Sequence, residues 1–231
     1  MLERFASSSE MADAAAAAAA GRLDQGLRAR GRASLVATGG RAPGPVYDRL
    51  AQADLDWPRV DVTLSDDRFI PPDSPESNEG LVRRRLLSGK AARARFTPLW
   101  SQAATSEAAA RDAEPRVAAL VPFDVAVLGM GEDGHVASLI PGSPVLAAAM
   151  DPAAPKLVMG LPPGAGWPPL ARITLTLRAL LQSRSIIILI AGETKARVFD
   201  EALGGADLPV RAFLVQDLVP VRVLWAPEHG Q

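Results

Sequence analysis

Cysteine is absent from the 231 residues, so neither a disulfide nor a thiolate metal site can form. Histidine occurs only twice, at His135 and His229, too few for a His-rich zinc site. Long apolar runs are also missing. The strongest, residues 186–191, is far too short to span a bilayer. The alanine stretch at 14–20 follows Asp13 and lacks the bulky side chains of a secretory signal. No basic excess exists: 25 Lys and Arg face 26 Asp and Glu, which argues against a nucleic-acid partner. There is no G-x-S-x-G nucleophile elbow, no fixed-period repeat and no composition break marking a second domain. These absences point to a cytoplasmic protein with no metal, membrane or nucleic-acid partner. A small anionic substrate stays compatible, because a pocket needs only local positive charge.

What is present is an apolar fraction of 48%, enough for a sizeable core, in a length that suits one α/β domain over residues 1–231. The alanine-rich stretch 9–30 predicts a helix with Ser9 as its cap. Strands are predicted at 34–37, 60–64, 123–128, 156–159, 173–177, 186–190 and 221–225. Between them fall helices starting at Pro43 and spanning 79–87 and 193–203, with Gly204 and Gly205 closing the last. Residues 103–120 read as partly helical, with Pro115 interrupting or starting a helix. Residues 66–78 read as a loop, and 136–140 as a short helix stopped by Pro141. The proline- and glycine-dense tract 162–169 reads as a mobile or site-forming loop. The alternation implies a single-domain α/β fold, a mostly parallel Rossmann-like sheet with helices on both faces.

In such a sheet, ligands bind beyond the carboxyl ends of the strands. Three unusual segments fall there. Gly39 and Gly40 let backbone N–H groups approach an anion ahead of a helix N-terminus. Arg41 either adds charge to this turn or sits solvated. Asp66, Asp67 and Arg68 place two acids beside a guanidinium, which binds an anion or pairs with the acids. The third segment, Gly129 to Gly134, satisfies G-x-G-x-x-G but lacks an acidic residue after the next strand, so a nicotinamide cofactor is disfavoured. His135 follows it as a candidate general base, and a helix N-terminus behind it would favour the neutral ring. Asp133 either orients that ring or forms the turn. Lys195, at the start of a helix, opposes the helix dipole unless an anion binds nearby. Arg172 precedes a short strand. His229 reads as part of a frayed terminus.

These segments resemble a known family. Gly39-Gly40-Arg41-Ala42-Pro43 is similar to its G-G-S-T-P phosphate loop, and Asp66-Asp67-Arg68-Phe69-Ile70-Pro71 to its D-E-R-x-V-P motif. Ser77 and Asn78, with Arg83 and Arg84 nearby, resemble its S-N-x-x-x-x-R stretch. The run Leu128-Gly129-Met130-Gly131-Glu132-Asp133-Gly134-His135-Val136-Ala137-Ser138-Leu139-Ile140-Pro141 is very close to L-G-M-G-x-D-G-H-T-A-S-L-F-P. Blocks at Arg172 to Thr176 and Gly192 to Ala196 also match. The family is that of the 6-phosphogluconolactonases, relatives of glucosamine-6-phosphate deaminase. The resemblance implies hydrolysis of 6-phosphoglucono-δ-lactone without metal or organic cofactor, with His135 activating water. Gly39, Gly40, Arg172 and Lys195 would hold phosphate, and Arg68 would face the sugar or its phosphate. Arg41 and Ala42 depart from the usual Ser and Thr, and Asp67 from the usual Glu. Two alternatives remain. One is a deaminase using Asp66 to move a proton, although Arg68 and the Ser138 to Pro141 stretch take the lactonase form. The other is a non-catalytic sugar-phosphate-binding protein. The sequence does not give the oligomeric state.

Overall fold

The computed structural model describes residues 2–228, so His229 lies outside the described residues. Seven strands form one all-parallel sheet: β1 (Leu2–Arg4), β2 (Ala33–Ala37), β3 (Val60–Leu64), β5 (Arg95–Thr97), β6 (Val125–Gly129), β9 (Ile186–Ala191) and β10 (Val221–Ala226). Their order is β1-β10-β9-β6-β2-β3-β5. The central strands are buried on both faces, and β9, Ile-Ile-Ile-Leu-Ile-Ala, is the continuous apolar run such a position requires. In β3 the alternating Asp61 turns outward, where its carboxylate takes two 2.8 Å hydrogen bonds from Arg95 of the edge strand β5. Helices cover both faces, as the alternation implied.

The alanine-rich helix α1 spans Ser8–Arg30, and its buried stripe of Met11, Ala12, Ala15, Ala16, Ala19 and Leu23 packs against the sheet. Its cap is Ser7, whose hydroxyl accepts from the Glu10 N–H, and not Ser9, which lies in the first turn. Helix α2 (Pro43–Leu50) follows β2, and α3 (Asn78–Arg85) follows the proline-rich turns. In α4 (Ser106–Ala118) Pro115 sits inside the helix and does not interrupt it. Ala109, Ala110, Ala113 and Val117 are buried on one face, and this packing outweighs the single lost backbone donor.

The main departure from the sequence reading is a second sheet. Residues 66–78 are not all loop: β4 (Asp66–Arg68) pairs antiparallel with β8 (Arg172–Leu175), which pairs antiparallel with β7 (Val158–Leu161). Ser65 links the two sheets. Its N–H donates to Ala37 O at 2.7 Å, and its carbonyl accepts from Leu175 N at 2.8 Å. Short helices α5 (Leu146–Met150) and α6 (Leu177–Leu181) lie on the connections between these layers, and α7 (Glu193–Leu203) and α8 (Arg211–Leu214) connect β9 to β10. The expected helix at 136–140 is absent. Gly134 and Ala137 both have positive φ, and Val136 bridges to Met130 and Leu139 in a tight non-helical turn. No helix among the described residues is long and apolar enough to cross a membrane.

Candidate active site

From β2 the chain proceeds to β3 and β5 on one side, then returns to β6 on the other. The order therefore reverses between β2 and β6, and a crevice opens outside their carboxyl ends. A cleft of about 250 Å3 occupies this point, close to the size that suits one small molecule. Gly39, Gly40, Arg41, Asp66, Arg68, His135, Arg172 and Lys195 all line it. Asp133 does not line the cleft, but reaches it through His135.

The histidine is held by its own loop. Gly131 N donates to His135 O at 2.9 Å, closing the turn. Asp133 Oδ1 lies 2.5 Å from His135 Nδ1 and accepts from the His135 N–H at 3.2 Å. Burial opposes the charge on Asp133, but the hydrogen bond and charge of His135, with further backbone donors, outweigh it and hold the carboxyl below its usual range. An ionised carboxylate only accepts, so Nδ1 is the donor, and in the neutral ring the lone pair falls on Nε2. A Cβ on Gly131 would collide with the imidazole and with Asp133, so only glycine leaves room for the ring. The helix anticipated behind His135 does not form, so the ring is oriented by the carboxylate and faces no helix N-terminus. Ala137, also lining the cleft, holds φ at +53, a strain worth about 1–2 kcal/mol for a non-glycine residue.

The opposite wall is cationic. Arg68 and Arg172 face each other across the β4–β8 ladder. Like charges directly opposed in a sheet repel. Both Nε atoms are buried without a protein partner. Arg68 is steadied by Asn78 Oδ1 at 2.6 Å and Glu76 O at 3.1 Å. Burial is the main influence lowering the Arg172 pKa; Asp66 opposes it and Arg68 adds to it. Lys195 lies in the first turn of α7, as its position in the sequence implied. Burial holds its ammonium below the usual lysine range; the charge of Glu132 opposes this and Arg41 reinforces it. Arg41 is almost wholly exposed at the mouth, 4.0 Å from Glu228. A cleft in which cations are desolvated and mutually repulsive is suited to an anion.

The phosphate loop proposed from glycines has a clear geometry. Gly40 has φ +102, and a side chain on Gly39 would collide with the Asn78 amide. Tyr47 braces the turn, its hydroxyl bonding both Thr38 N and Thr38 O at 2.7 Å. The N-terminus of α2 has no side-chain cap, and Pro43 and Pro45 remove two of its four leading N–H donors. The helix end therefore offers fewer donors than its placement suggested.

Asp66 is buried, with Ser65 Oγ donating to Oδ1 at 2.8 Å and Ser138 Oγ to Oδ2 at 2.6 Å. Asp67, whose partner the sequence left undefined, caps α3. It accepts from Asn78 N at 2.7 Å, Glu79 N at 2.9 Å and Arg68 N at 2.8 Å. Its burial pushes the carboxyl up to about 6 against the lowering pull of these donors. Asn78, Ser138 and Trp167 also belong to the site and were not singled out as site residues from the sequence. Asn78 and Ser138 lie inside motifs that the resemblance covers, whereas Trp167 lies in the 162–169 tract, whose composition marks a loop but no particular side chain.

Fold and cleft together define a doubly wound α/β protein with a carboxylate-buttressed histidine facing the buried Arg172 and the half-buried Arg68 and Lys195. A family model described as Glucosamine-6-phosphate isomerases/6-phosphogluconolactonase matches residues 6–225. The chain belongs to that family. The 6-phosphogluconolactonase of Caulobacter vibrioides is 45% identical over 225 residues, covering 97% of each chain. That of Pseudomonas aeruginosa is 42% identical over 230 residues, covering 98% of this chain and 94% of its own. The crystal structure of a 6-phosphogluconolactonase from Shewanella baltica superposes with a TM-score of 0.91 at 37% identity, over 98% of this chain and 97% of that one. A monomeric glucosamine-6-phosphate deaminase shares the fold, with a TM-score of 0.80 at 22% identity. The fold is thus common to both branches, and the distinction between them rests on residues.

Proposed function

We propose that the protein hydrolyses 6-phosphoglucono-δ-lactone to 6-phosphogluconate, as the names of its relatives indicate for them. The observation that carries this reading is the His135–Asp133 pair set across one small cleft from Arg68, Arg172 and Lys195. In this reading the cations and the Gly39–Gly40 turn hold the phosphoryl group, which places the lactone ring before the imidazole. Nε2 of His135 takes a proton from water as its oxygen bonds to the carbonyl carbon. The tetrahedral intermediate then expels the ring oxygen, which receives that proton from the imidazolium. Asp133 stays ionised and stabilises the imidazolium. Asp66 contributes the negative charge that balances Arg172 at the cleft floor.

Relatives above 40% identity support the lactonase reading over the deaminase one. So does Asp66, the acid a deaminase would use: both its oxygens are engaged by hydroxyl donors. The deciding assay measures lactone hydrolysis above the spontaneous rate. His135→Ala should lower turnover roughly 10²–10⁴-fold if general-base catalysis operates. Wild-type turnover in that variant would overturn the assignment, and ammonia release from glucosamine 6-phosphate would transfer the protein to the other branch.

A further inference from the structure

Trp167 is the most exposed large apolar side chain among the described residues, at 86%. A free indole of this size is costly to leave in water, and aromatic rings of this kind favour the apolar face of a partner. Trp167 also lines the catalytic cleft, on the proline- and glycine-rich tract between β7 and β8. Two glycines in that tract, Gly164 at φ +121 and Gly166 at φ +73, bend the chain where other residues would be strained. The loop is tied to one side chain of the cationic wall. Arg172 donates to Trp167 O at 3.2 Å and to Pro168 O at 3.1 Å, while its buried Nε has no protein partner. A side chain on Gly166 would press on Ile140 and approach the Arg172 guanidinium. The backbone carrying the indole thus rests on a cation that lines the anion site.

We propose that Trp167 is a specificity-determining residue that lays its indole over the sugar ring once the phosphoryl group has engaged Arg172. The inference rests on the reading of the cleft as a phosphosugar-lactone site. A pyranose lactone presents carbon-bound hydrogens on one face, the chemistry an aromatic plane receives. The other tryptophans cannot serve: Trp57 and Trp225 are buried and Trp100 lies outside the cleft. Because Arg172 holds the loop through two backbone carbonyls, the position of the indole depends on what else that guanidinium binds.

The test uses the full chain with Trp167→Phe and Trp167→Ala, both at an exposed position where folding is not at stake. Two readouts are taken: steady-state kinetics on the phosphorylated lactone, and tryptophan emission during titration with 6-phosphogluconate. Trp167→Ala is expected to raise KM roughly three- to tenfold, with a smaller change in kcat, and Trp167→Phe to recover most of the loss. Wild-type emission should shift saturably with 6-phosphogluconate, and the shift should vanish in Trp167→Phe. Wild-type KM in Trp167→Ala would overturn the inference, as would an emission shift that survives in Trp167→Phe or is missing from the wild type. The two readings fail separately. Emission that responds without lactone turnover removes the hydrolase reading and keeps Trp167 as a sugar contact. Turnover with normal kinetics in Trp167→Ala does the reverse.

Discussion

His135 owes its orientation to two neighbours of opposite kind, a carboxylate that binds it and a glycine that makes room. Asp133→Asn keeps the shape but offers an amide that can donate to Nδ1 and reverse the tautomer. Turnover should fall roughly 10- to 10³-fold with KM little changed, less than on losing the ring. Stopped-flow and steady-state assays would show it; wild-type kcat in the variant would remove Asp133 from the mechanism. Gly131 lends itself to a double-mutant cycle. Gly131→Ala should destabilise the native loop and depress activity, yet its stability cost should be smaller in a His135→Ala background, where the ring is gone and only the Asp133 carboxylate meets the new methyl group. Equal costs in both backgrounds would mean that the collision is relieved elsewhere. The sequence made His135 legible because so few histidines exist. Asp133 read equally as its partner or as a turn residue, and the turn closed by the Gly131 hydrogen bond sets the carboxylate on the ring.

Among the elements, α3 carries the clearest pH signature. Asp67 caps its first turn with a carboxyl raised from 3.8 to about 6. Between those values the folded chain keeps a proton that the unfolded chain releases, so this group's contribution to stability declines as pH rises through the window and is constant above it. The span corresponds to on the order of 3 kcal/mol. Thermal melts of wild type and Asp67→Asn from pH 4 to 7 should show the wild type losing ground to the variant up to about pH 6. A difference independent of pH would contradict the raised value. The misread elements share one cause. Strand β4 is three residues of Asp and Arg, with no apolar pattern, and exists because β8 lies beside it from more than a hundred residues away. Likewise β1 and β5 are three-residue edge strands too short for any periodicity. Pro115 announced a helix break, but tertiary packing decided otherwise. By contrast β2, β6, β9 and β10 were readable because burial on both faces demands continuous apolar runs.

Over the whole molecule the charges nearly cancel, with a net charge of −1, while the cleft concentrates Arg41, Arg68, Arg172 and Lys195. A local field of this kind acts on an anionic substrate and is screened by salt. KM for the phosphorylated lactone should therefore rise between 0.05 and about 0.5 M ionic strength. KM for the unphosphorylated lactone should stay flat, and parallel behaviour of the two would remove the cations from substrate binding. The parallel sheet and the location of its crevice were foreseeable from the β–α alternation. The three-stranded sheet that brings the guanidinium wall opposite the imidazole was not, because it depends on pairings far apart in the chain. That arrangement is tied at one residue. Ser65 is fastened on one side to β2 and on the other to the end of β8, so neither layer can slide without breaking a bond at this residue. The protein thereby carries a fixed spacing between its guanidinium wall and its imidazole, and a substrate that must reach both should be sorted by its length before any atom reacts.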